Sequence, residues 1–153
     1  MKTTATFLVV GLMAAGTAAA LPLRDSLAMF ESGATRPTRS RADYLRGAAG
    51  EVSRFQIMPS VWRQYSRSSD YTDPEVAWSV AQRILDQRTH DFQSRTRRAP
   101  TPLEIYLLWN KPGHFEEVGY DVSRVRKLYR DRAQRFANLF KRFSTEEVAV
   151  GGQ

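Results

Sequence analysis

The chain reads as a mainly α-helical domain of about five helices, with at most a small β element. Three observations predict this. Apolar residues recur at intervals of three and four along most of the sequence. Prolines and capping residues stand where such stretches begin, and glycines where they stop. There is also no internal repeat and no linker, and 153 residues at 42% hydrophobic suit one core.

Residues 1–20 stand apart from that domain. Lys2 gives a charged start, Phe7 to Ala15 is an apolar run, and Ala18-Ala19-Ala20 supplies the small residues of a cleavage site. The run falls short of the roughly 20 residues of a membrane span. It reads as a signal peptide cut after Ala20, with a retained anchor as the alternative. The mature chain is expected to be exported to the periplasm or cell envelope, or secreted, with no integral membrane segment left. The domain is expected to span residues 21–143, and residues 144–153 to form a disordered tail.

The first helix carries Leu23, Leu27, Ala28 and Phe30 on one side; Pro22 opens it and Gly33 stops it. Ala34 to Ala49, rich in Arg, Ser, Thr, Gly and Pro, has no sustained period and is expected to be an ordered loop or two short strands around Tyr44. Gly47 and Gly50 bracket a tight turn. Pro59 opens a short helix with Val61, Trp62 and Tyr65. Asp73-Pro74 caps the next, whose stripe runs through Val76, Ala77, Val80, Ala81, Ile84 and Leu85 towards Phe92. Thr101-Pro102-Leu103-Glu104 is a capping box opening a helix with Ile105, Leu108 and Trp109, which Asn110-Lys111-Pro112-Gly113 stops. The last helix starts at Tyr120 to Val122 and carries Val125, Tyr129, Ala133, Phe136, Phe140 and Phe143, with Arg and Lys on its other side.

Composition narrows the chemistry. Without cysteine there is no disulfide framework, thiolate nucleophile or thiolate metal site. His90 and His114 stand in no metal-ligand spacing, so neither a metal nor a cofactor is expected. A net charge of +7 draws the chain towards polyanions such as cell-wall polymers or lipid head groups. Nucleic acid is not an expected partner, because no recognition motif or interleaved aromatic–basic run is present.

Glu31 is the candidate acid. It follows the apolar stripe on the last turn of the first helix, where burial and the helix C-terminus both disfavour its ionised form. Such a group holds its proton towards neutral pH, as a general acid must. An ordinary exposed helix-end glutamate is the plain alternative.

Three blocks taken in order resemble the catalytic domain of soluble lytic transglycosylases, in the lysozyme-like superfamily. Glu31-Ser32 is similar to the family's Glu-Ser pair at the end of its catalytic helix. Gly50-Glu51-Val52-Ser53-Arg54-Phe55-Gln56-Ile57-Met58-Pro59 looks like its Gly-Ala-x-Gly-Leu-Met-Gln-Ile-x-Pro segment, keeping Gly50, Gln56, Ile57 and Pro59. Leu108-Trp109-Asn110-Lys111-Pro112-Gly113 is similar to the Ala-Tyr-Asn-Ala-Gly segment of the helix facing the cleft. The resemblance covers most of Leu23 to Phe140. Glu51, Ser53, Arg54, Trp109 and Lys111-Pro112 depart from the pattern.

The resemblance implies a lysozyme-like helical fold and cleavage of the β-1,4 bond between N-acetylmuramic acid and N-acetylglucosamine in peptidoglycan glycan strands. Glu31 would protonate the leaving oxygen, then take a proton from the 6-hydroxyl as a 1,6-anhydro ring closes; the substrate's N-acetyl group replaces a second carboxylate. Ser32 and Gln56 would orient the N-acetyl group or Glu31, or else serve helix-end and turn hydrogen bonds. Asn110 would contact substrate or stop its helix. Tyr106, Trp109 and Tyr120 would line the cleft for sugar rings or pack in the core. Glu51 would hold a hydrolytic water, as in lysozymes, or pair with an arginine of the neighbouring loop. A non-catalytic glycan-binding or scaffold module is the reading from another class. By analogy, small enzymes of this build accompany envelope-spanning machines, which makes a secretion apparatus an expected partner.

Overall fold

The computed structural model describes residues 20–37 and 40–150, with side chains described for 23–37 and 40–142. The expected leader lies outside the described residues except for Ala20, the first residue of α1. Six α-helices follow one another: α1 (Ala20–Ser32), α2 (Pro59–Tyr65), α3 (Pro74–Thr96), α4 (Pro102–Asn110), α5 (Pro112–Glu117) and α6 (Lys127–Val150). Short 3₁₀ turns fill Ser40–Tyr44 and Val122–Arg124. Among the described residues there is no strand, and the β element reduces to one isolated antiparallel bridge between Val52 and Ile57.

The starts expected from the sequence are built as such starts should be. Asp73 accepts the N–H groups of Glu75 and Val76 at the head of α3. Thr101 and Glu104 form a reciprocal capping box on α4, with Pro102 in the first turn. Gly33, at φ +67°, lets the chain leave α1 through the left-handed region. The amide of Gly50 closes the expected turn on the carbonyl of Gly47 at 3.0 Å.

Three expectations are narrowed or corrected. For Ala34 to Ala49 the loop reading stands and the alternative of two strands falls: Ser40–Tyr44 is a 3₁₀ turn, which places Asp43 in a buried ion pair with Arg54. Asn110 to Gly113 ends α4 but does not end helix: Pro112, with its φ already helical, opens α5 at once, giving six helices where about five were expected. The last helix begins at Lys127, later than Tyr120 to Val122, since Gly119 and Tyr120 both take positive φ and Asp121 caps a separate 3₁₀ turn. At its far end α6 runs as a helix through Ser144 to Val150, across most of the expected tail; residues 151–153 lie outside the described residues.

The core gathers around α4. This nine-residue helix buries Glu104, Tyr106, Leu107, Leu108 and Trp109. It is covered by α6, α3 and α5, while α1 packs on α6. A helix so enclosed leaves its terminal carbonyls away from water, and they need partners. Arg88 of α3 supplies one end, its Nη1 donating to the carbonyls of Leu108 at 2.8 Å and Trp109 at 2.7 Å. Among the described residues no helix is long and apolar enough to cross a membrane.

Candidate active site

One side of this packing is open. A cleft of about 770 Å³ runs between the end of α1, the segment from Gly47 to Met58, the α4–α5 junction and the first half of α6. Glu31, Glu51, Gln56, Trp109 and Asn110, all singled out in the sequence, line it together.

Glu31 sits on its floor because of the stripe beside it. Leu27 and Ala28 are fully buried, and Phe30 packs edge-on against Tyr106 and Phe136, ring centres 5.0 and 5.7 Å away. This fixes the rotation of α1 and leaves the Glu31 side chain 7% exposed. The hydroxyl of Tyr106 donates to its Oε1 at 2.5 Å. Arg132 of α6 donates from Nε to that same hydroxyl oxygen at 2.6 Å, and from Nη2 to Glu31 Oε2 at 3.4 Å.

Burial dominates the electrostatics of Glu31 and holds its pKa above the ordinary carboxylate value. The Tyr106 hydrogen bond and the Arg132 charge pull the other way without cancelling it, and the Glu51 charge adds to the rise. Desolvation likewise pushes the Tyr106 phenol up, so it remains a neutral donor to Glu31. The floor of the cleft can therefore deliver a proton to an oxygen lying over it, and take one back once emptied.

The opposite wall is a cramped turn. Ser53 and Gln56 both take positive φ. Gln56 Nε2 donates to the Ser53 carbonyl at 2.9 Å, and Glu51 Oε2 accepts the Ala49 amide at 3.0 Å. Among the described residues Glu51 forms no ion pair, so the loop arginine expected as its partner is elsewhere; Arg54 spends its charge on Asp43. A Cβ at Gly47 would stand 2.2 Å from Glu51 Oε2 and 2.6 Å from Gln56 Oε1, so a larger residue there would push these two side chains aside.

Three of the expected residues do not line the cleft. Tyr106 lies beneath it, 1% exposed, touching Glu31 and not available as a surface for sugar. Ser32 turns back along α1, donating to the Ala28 carbonyl at 2.6 Å and accepting the Ala34 amide at 3.2 Å, the helix-end role. Tyr120 is core, edge-on to Phe92 and Phe115.

Arg132 is the residue the sequence reading missed, since arginines of α6 were assigned to its solvent side. It stands three residues after Tyr129 and four before Phe136, so helical spacing puts it on the apolar stripe. A lone cation at a stripe position was the available signal. Arg88, Lys111 and Arg135 also line the cleft unforeseen.

Compared with known proteins, the chain matches no family model, and neither a curated protein nor a solved structure matches it.

Proposed function

We propose that the protein is a peptidoglycan lytic transglycosylase, cleaving the β-1,4 bond between N-acetylmuramic acid and N-acetylglucosamine with Glu31 as acid and then base. The observation that carries this reading is a nearly buried carboxyl, its pKa raised by desolvation, on the floor of an open cleft of about 770 Å³. Protonated Glu31 gives its proton to the departing glycosidic oxygen. The resulting carboxylate, held by Tyr106 and Arg132, accepts the proton of the sugar's 6-hydroxyl as the anhydro ring closes. Tyr106 and Arg132 are positioning residues, acting through Glu31. Gln56, Trp109 and Asn110 face the same space and would hold the sugar rings. Export of the mature chain to the cell envelope belongs to the same proposal.

Two observations favour other outcomes. Glu51 lines the cleft with Glu31, which suits a hydrolytic water and a muramidase. Arg132 reaches Glu31 Oε2, which suits an ionised, inert carboxylate and a non-catalytic glycan-binding module. Mass analysis of muropeptides released from purified sacculi separates all three. Anhydro ends that vanish in Glu31→Gln support the transglycosylase; reducing ends support the muramidase; no release by the wild-type protein leaves the binding module.

A further inference from the structure

The cleft has an electrical asymmetry that cleavage of a sugar–sugar bond does not itself require. Arg132 and Arg135 reach it from α6, Lys111 from the α4–α5 junction, and Arg88 from beneath. Against these four cations stand two carboxyls, Glu31 and Glu51, and the first is held towards its neutral form by burial. A neutral glycan would gain little from such a wall, whereas closely spaced like charges repel one another when no anion lies among them.

The cations nearest solvent are also the least committed. Among the described residues, neither Lys111 nor Arg135 is in an ion pair. The acid closest along the helix to Arg135, Asp131, is occupied by Lys127 at 2.5 Å. The Lys111 ammonium lies over the Tyr129 ring, 5.1 Å from its centre, a contact to the ring face that leaves its other N–H donors for a ligand. Arg132 is 41% exposed and holds Glu31 by a single long contact. Three donors with spare hydrogen-bonding capacity thus line the same cleft as the acid.

We propose that Lys111, Arg132 and Arg135 form a carboxylate-binding subsite for the peptide stems of the glycan, so that the protein selects stem-bearing, anionic strands over neutral ones. This rests on the glycan-cleaving reading and names the part of the substrate that the α6 wall grips. Guanidinium groups match carboxylates in a planar fork, and the stems carry their carboxylates beside the sugar whose bond lies over Glu31.

The test uses binding, so that it does not depend on turnover. The Glu31→Gln protein is titrated with stem-bearing glycan strands, native or with their carboxylates amidated by carbodiimide and ammonia. Neutral N-acetylglucosamine oligomers serve as a third ligand. Amidation is expected to weaken binding about tenfold, and to flatten its dependence on salt, since only partly exposed ion pairs are lost. Adding Lys111→Gln and Arg135→Gln should cost as much with native strands and nothing further with amidated ones; Arg135→Lys should restore part of the loss. Both changed side chains reach the surface, and circular dichroism verifies that the fold is intact. Equal affinity for native and amidated strands would overturn the subsite, as would an amidation effect that persists unchanged in the double variant. If the wild-type protein releases no muropeptide while the binding pattern holds, the subsite stands and the enzyme reading falls. If it cleaves both substrates with the same KM and kcat, the reverse is true.

Discussion

Of the five arginine–carboxylate pairs among the described residues, Arg54–Asp43 and Arg132–Glu31 do opposite things. In the segment after α1, Arg54 grips Asp43 with two nitrogens, Nε on Oδ1 and Nη2 on Oδ2 at 2.7 Å, and sends Nη1 to the Pro37 carbonyl at 2.9 Å. Both side chains are under a tenth exposed. On the cleft floor, Arg132 meets Glu31 through one nitrogen at 3.4 Å and gives its shorter bond to Tyr106. The first pair satisfies its charges and fastens an irregular segment that has little apolar surface of its own. The second leaves desolvation dominant, so the carboxyl keeps a raised pKa. Charge identity is the same in both; the number and alignment of donors decide whether a buried acid becomes an anchor or a proton store.

Breaking one pair at a time tests this contrast. The largest effect is expected from Glu31→Gln, which should lower muropeptide release by on the order of 10²–10⁴-fold while leaving the fold in place. A loss below tenfold, measured on sacculi by turbidity and product mass, would move the acid elsewhere. Next is Arg54→Met, which strands Asp43 without its partner and should cost roughly 3–5 kcal/mol in urea unfolding. A cost under about 1 kcal/mol would mean that Arg54 is not the clamp of its segment.

Arg132→Gln should act on pH dependence more than on stability. Arg132 favours the ionised form of Glu31, so its removal raises that pKa further. Glu31 must be protonated to act as acid, and the alkaline limb of kcat/KM should therefore move to higher pH. An unmoved limb would separate Arg132 from the acid.

The smallest effect concerns stability. The folded protein holds a proton on Glu31 that the unfolded chain, with a carboxyl value near 4.5, releases first. This residue's contribution is fully present below 4.5 and is lost as pH rises through the higher folded value. Glu31→Gln does not titrate, so its melting temperature should gain on that of the wild-type protein over the pH range above 4.5. A constant difference across that range would remove the desolvation argument.

The legible parts of the fold were those with a local cause. Asp73-Pro74 and the Thr101–Glu104 box act within one turn, and the α3 stripe from Ala77 to Phe92 repeats often enough to be read. Two short segments without a period were not legible. A six-residue α5 has no room for a period, and the Ser40–Tyr44 turn answers to Arg54, eleven residues beyond Asp43. In the cleft, Glu31, Glu51, Gln56, Trp109 and Asn110 were recognised through blocks of sequence. Tyr120 was left open between cleft and core because an aromatic near a turn looks alike whether it faces a groove or, as here, Phe92 and Phe115.

By itself the sequence determined that helices form and where most of them start, and that a carboxyl would end an apolar stripe, because caps, prolines and periodicity act over a few residues. Only the tertiary structure decided what that carboxyl is. Tyr106 and Arg132 come to Glu31 from 75 and 101 residues away. Whether a buried acid keeps its proton depends on how many donors reach it and how well water is excluded, both of which are set when α1, α4 and α6 close on one another.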